Sequence, residues 1–137
     1  MTQRRLAAWY AAGVGLAIVG LWTVLVATGQ VPELRTAPLE VGYHLLAELA
    51  TALALVAAGV GRLRGTAWAD RLFPVALGML LYTTVNSAGY YAALAEWPVI
   101  VAFGVLTAAT LVALRWEVFG GRTVPSSSSR RTSTRVR

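Results

Sequence analysis

Polar and apolar positions along this chain do not alternate at helical or strand spacing; they separate into long blocks. No Asp, Glu, Lys or Arg occurs from Leu6 to Pro32, from Leu72 to Ala95 or from Trp97 to Leu114. Between Glu40 and Arg62 the only ionisable side chains are Tyr43, His44 and Glu48. A bilayer core about 30 Å thick is crossed by about 20 apolar residues rising 1.5 Å each. Four blocks reach that length, roughly 6–28, 40–61, 72–94 and 98–116. A soluble four-helix bundle would carry a polar stripe along each helix, and these blocks carry none. The predicted fold is all-α: a polytopic membrane protein, an antiparallel four-helix transmembrane bundle over residues 1–119, followed by a disordered basic tail over 120–137.

The connections follow from local chemistry. The first block is preceded by Arg4 and Arg5, but its apolar run is longer than that of a secretion signal and ends without a small-x-small site. It is read as a retained helix. Its Gly13, Gly15 and Gly20 are expected to let a neighbouring helix approach. The connection "GQVPELRTAPLE" is punctuated by Pro32 and Pro38 and is too short for a soluble domain. The second block ends in "GVGRLRG", a glycine stop with arginines. Asp70 is placed to cap the third helix, with Pro74 in its first turn. Gly89 is either a loosening point in that helix or a packing contact. Trp97 and Pro98 open the fourth helix, and Trp116 closes it. The tail "GGRTVPSSSSRRTSTRVR" has no apolar period, and its composition cannot bury a core.

Charge sets an orientation. All 12 basic residues are arginine, and on a four-span reading 11 lie at the end of the termini and only Arg35 at the other. By the positive-inside rule both termini are expected in the cytoplasm of a bacterial plasma membrane. The absences exclude chemistry. Without Cys there is no thiolate site, and without Lys no Schiff base. A single His rules out bis-histidine haem ligation within one chain and makes a closed zinc site unfavourable. No cofactor, metal or nucleic acid is expected. The expected partners are the lipid bilayer, a small lipophilic ligand, and a second copy of the chain or another membrane subunit.

The residues that a membrane segment does not need are the informative ones. His44 and Glu48 lie one turn apart on one face of the second block, and Tyr82, Asn86 and Tyr90 are similarly spaced on the third. Counting inward from the connection between the first two blocks, His44 is about 6 Å and Glu48 about 12 Å down the helix. That puts His44 level with Tyr90 and Glu48 level with Asn86, with Thr107 and Thr23 at compatible depths. A bare carboxylate at such depth costs a few kcal/mol or more, so Glu48 is expected to be neutral or to share a proton with His44. An ionisable pair inside a membrane is a candidate functional site by default. The alternative is that these side chains hold helices together, each hydrogen bond contributing about 0.6–2 kcal/mol.

The stretches "HLLAELATALALVAAGVG" and "GMLLYTTVNSAGYYA" resemble a group of small bacterial four-helix membrane proteins without an assigned activity. The resemblance covers about a quarter of the chain. It implies the four-helix fold and that the two stretches belong together. The H-x-x-x-E spacing of His44 and Glu48 is also similar to that of the EXPERA membrane proteins, which include sterol isomerases and ligand-binding proteins. Those isomerases carry a second acid on a neighbouring helix, where this chain offers Asn86.

Four classes of function remain. The residues favour a binding module, with His44, Glu48, Asn86, Tyr90, Tyr82 and Thr107 lining an outward pocket for a small amphipathic or lipid-like ligand. A membrane enzyme would use His44 and Glu48 to move a proton on a lipophilic substrate. A proton-linked transporter would need a polar path through "ALALVAAGVG" and "FPVALGML", which are nearly dry. A structural or accessory subunit would use the polar residues only to join helices.

Overall fold

A computed structural model describes residues 3–93 and 95–119, and the predicted disordered tail, 120–137, lies outside the described residues. The described chain is all-helical: α1 Gln3–Ala27, α2 Glu33–Thr36, α3 Pro38–Leu63, α4 Ala67–Ala93 and α5 Trp97–Phe119. The four long helices are each long and apolar enough to cross a membrane. Each runs a few residues beyond the bounds read from hydropathy at one end or both, because helical backbone continues into polar flanks that apolarity does not mark.

Helix ends follow from backbone chemistry. At the end of α1 the Gln30 amide donates to the Leu25 carbonyl and the Gly29 amide to Val26, with Gly29 at φ 69°. At the end of α3 the Thr66 amide donates to Gly61 and the Gly65 amide to Arg62, with Gly65 at φ 73°. Both are Schellman closures, in which a left-handed residue lets the last carbonyls find donors. The stop in "GVGRLRG" is therefore Gly65; Gly59 and Gly61 lie inside the helix. The end of α4 repeats the pattern, Glu96 amide to Tyr91 and Ala95 amide to Ala92, but with Ala95 at φ 58°. A Cβ in this region costs about 1–2 kcal/mol. Ala95→Gly should therefore stabilise the protein by about 1 kcal/mol, read as a raised thermal midpoint in detergent. An unchanged or lowered midpoint would contradict the strain.

Pro38 explains the break between α2 and α3. A residue before proline is driven out of the helical region, and Ala37 sits at φ −138°, ψ 58°. Pro38 then serves as a first-turn residue of α3. Pro74 departs from its expected place. Helix α4 starts at Ala67, so Pro74 lies inside it and Asp70 in its first turn. Proline has no amide proton, so the Asp70 carbonyl loses its helical donor.

The helices pack in the order α1, α3, α4, α5, with α1 and α5 also meeting. The apolar core lies toward one end of the bundle, and the burial that reaches past the middle of α4 is polar: Thr83, Thr84 and Ser87. The core gathers Ala7 and Ala11 of α1, Leu55 and Ala58 of α3, Phe73, Ala76, Leu77 and Leu80 of α4, and Ala113 of α5. All belong to the half that carries the termini. Toward the other end, in residues 16–27, 38–50, 88–93 and 97–109, no described residue is buried.

Close approach in the packed half rests on glycine. A Cβ at Gly59 would stand 2.6 Å from the Ala8 carbonyl oxygen, and one at Gly15 2.6 Å from that of Ala52. Helices α1 and α3 thus touch backbone to backbone, as small residues permit in membranes. Of the three glycines of α1, only Gly15 serves this contact; Gly13 and Gly20 face open space, as does Gly89. On the far side of α1, the Tyr10 hydroxyl lies 2.8 Å from Thr110 Oγ1, which donates its own proton to the Leu106 carbonyl.

Candidate functional site

Where the bundle is not packed it is hollow. A partly open cavity of about 470 Å³ lies between the loop-end halves of the helices. Its walls are Leu21, Trp22 and Leu25 of α1, Asn86, Ser87, Tyr90 and Tyr91 of α4, and Phe103 of α5. Helix α3 contributes Glu40, Val41, His44 and Glu48, and the α1–α3 connection contributes Gln30, Val31, Glu33 and Ala37. The volume falls in the range of about 300–1,000 Å³ typical of small-molecule pockets.

Helical spacing puts the polar groups of α3 in a file. Glu40, His44 and Glu48 are each four residues apart, so they stack on one face at intervals of about 6 Å. His44 Nε2 lies 4.0 Å from Glu48 Oε1, beyond hydrogen-bond length. The Glu48 side chain is 13% exposed and that of His44 45%. The His44 ring meets Trp22 edge-on, centroids 5.8 Å apart at 69°. Tyr91 stacks on Phe103 with centroids 5.8 Å apart and stands at 85° to Tyr90. These contacts set aromatic rings in the same lining as the acidic file, with Trp22 directly against His44. Among the described residues, the side chains of Glu48, Asn86 and Tyr90 make no hydrogen bond to another protein group.

The structure therefore brings His44, Glu48, Asn86 and Tyr90 to one cavity. It places three of the other polar candidates elsewhere. Tyr82 is 71% exposed on the outer surface of α4 and is not part of the lining. Thr107 donates to Thr84 Oγ1 at 3.0 Å, joining α5 to α4, and Thr23 donates to the Val19 carbonyl of its own helix. Glu33, Glu40, Trp22, Tyr91 and Phe103 are lining residues that sequence reasoning passed over. Glu40 was within reach of the i, i+4 pattern that singled out His44 and Glu48. Trp22 and Phe103 carry no such signal, because an aromatic residue in an apolar span looks the same whether it faces lipid or a cavity.

A second polar cluster closes the opposite end. The Arg62 side chain is only 4% exposed although it ends in a guanidinium. That group forks onto both carboxylate oxygens of Glu117, donates to Asp70 Oδ1 at 3.2 Å, and lies 3.8 Å over the Phe73 ring. Asp70 also receives Arg4. The cluster ties all four long helices together and balances two arginines with two acids. In the sequence Arg62 stands out only as one of the arginines of the positive end.

These two sites, the hollow and the clasp, lie within the stretch that comparison with known families recognises. The chain belongs to the family described as a domain of unknown function (DUF8058). The match covers residues 1–124, which is all four long helices. No curated protein and no solved structure matches the chain. Among the described residues, no group of three or more His, Cys, Asp and Glu is placed to hold a metal ion.

Proposed function

We propose that this member of the family is a small binding protein of a bacterial plasma membrane, which holds an amphipathic or lipid-like molecule in the cavity between its loop-end half-helices. One observation carries the reading. Glu48, Asn86 and Tyr90 face a shared cavity without bonding to one another or to other described protein groups. Residues that serve only to join helices satisfy one another across the contact, as Thr84 and Thr107 do here. Polar groups left unpaired in an apolar hollow instead favour a guest that pairs with them.

The arginine bias supports termini in the cytoplasm and a cavity opening to the outer side. Reporter fusions after Phe119 and in the α1–α3 connection should read inside and outside, respectively; an outward C-terminal reporter overturns this orientation. The ligand reading is tested by native mass spectrometry of the purified protein. A bound small molecule should be retained by the wild type and held less well by Leu21→Trp, which narrows the cavity from α1 without touching the packed half. Equal retention by both proteins would place the molecule elsewhere.

A further inference from the structure

The charge of the cavity points to the kind of molecule it takes. Three carboxyl side chains, Glu33, Glu40 and Glu48, contribute to one lining, and no arginine does. Arg35, the arginine beside them in sequence, is exposed and stands outside the lining. None of the three acids is ion-paired to an arginine among the described residues. His44 is the only lining residue able to carry positive charge, and it is 4.0 Å from one acid alone. The same lining holds four aromatic rings, Trp22, Tyr90, Tyr91 and Phe103. Elsewhere in the described chain Glu117 is balanced by Arg62 and Asp70 by Arg62 and Arg4, while Glu96 stands alone and exposed in the α4–α5 turn. The cavity is thus the place where three carboxyl groups gather without an arginine, Glu48 with only His44 near it, beside rings whose faces attract cations.

We infer that the cavity selects a cationic amphiphile, an alkyl or aryl ammonium whose charged head lies along the Glu40–Glu48 file and whose apolar body lies against Trp22, Tyr91 and Phe103. The inference rests on the binding function proposed above and adds the sign of the ligand's charge. An inorganic cation fits less well. The acids stand in a file rather than a cluster, and the aromatic wall offers only the neutral phenol oxygens of Tyr90 and Tyr91. An anionic guest would face three carboxyls with His44 alone to receive it.

The test uses the full chain in maltoside micelles, with empty micelles as the blank, and equilibrium dialysis of three matched probes. These are 4-phenylbutyl-trimethylammonium, 4-phenylbutanol and 4-phenylbutanesulfonate, which share one body and differ in charge. The ammonium should bind at least about tenfold more tightly than the alcohol, and the sulfonate more weakly than either. Glu48→Gln and Glu40→Gln should each weaken the ammonium severalfold and leave the alcohol unchanged. Leu21→Trp, which narrows the cavity, should weaken retention of both. Adding phosphatidylcholine or phosphatidylglycerol as competitor separates the two sources of such a head. Displacement by the choline lipid alone assigns the site to a lipid headgroup, displacement by neither assigns it to a free amphiphile, and both results support an ammonium ligand. Alcohol binding as tight as the ammonium, or tighter binding of the sulfonate, overturns the charge inference while leaving a ligand cavity in place. No retention of any probe above the blank overturns the cavity reading itself.

Discussion

Arg62→Ala should destabilise the protein by about 3–5 kcal/mol, the cost of breaking a buried ion pair from one side. The loss is large because the side chain is almost fully enclosed and serves three partners at once. It forks onto Glu117, bonds Asp70 and covers the Phe73 ring. Removing it leaves the 18%-exposed Glu117 carboxylate without its cation. Replacing both partners behaves differently. Arg62→Met with Glu117→Gln removes the stranded charge along with the pair, so the double variant should recover a substantial part of the loss. Thermal unfolding in detergent, followed by tryptophan fluorescence, measures both effects. A loss under about 1 kcal/mol for Arg62→Ala would mean that the clasp behaves as an exposed ion pair. Because the clasp lies at the opposite end from the cavity, Arg62→Ala protein that remains folded should still bind whatever the cavity binds.

Gly59→Val should destabilise by at least about 1–3 kcal/mol, the cost of overpacking a tight contact, and should push α1 from α3. The new Cβ would meet the Ala8 carbonyl oxygen at 2.6 Å and the Ala12 nitrogen at 2.9 Å. Neither is the free end of a flexible side chain, so relief requires moving a helix. Gly15→Val meets the same obstacle at the Ala52 carbonyl. The control lies on the same helix. Gly13→Ala and Gly20→Ala add a methyl group where nothing stands within 4 Å, and alanine is the better helix former, so both should be neutral or slightly stabilising. Equal effects at positions 13, 15 and 59 would contradict the packing. In a functional assay, Gly59→Val should also reduce ligand retention, because α1 carries Leu21 and Trp22 into the cavity.

The distribution of packing gives these two predictions a shared logic. The termini half holds the buried core, the glycine contacts and the arginine clasp; the loop half holds the cavity. One end of the bundle is fixed so that the other can remain hollow. The contacts that the loop half does not make are offset by the dense packing of the termini half.

What the sequence determined by itself is the part governed by length and solvent. Charge-free runs of the length of a bilayer allow only helices, since backbone polar groups in hydrocarbon must pair within their own segment. The four spans, the short connections and the pairing of His44 with Glu48 on one face were legible for that reason. Tertiary structure alone decided which way the helices face. In water a polar stripe marks the outside of a helix, but lipid is as apolar as a core, so Gly13, which faces open space, and Gly15, which meets α3, look alike in sequence. For the same reason nothing in the chain distinguished Tyr90, which faces the cavity, from Tyr82, which faces away from it. Nor did it show that Arg62 leaves the positive end to be enclosed by Glu117, Asp70 and Phe73. Those outcomes depend on distances between helices, which packing sets.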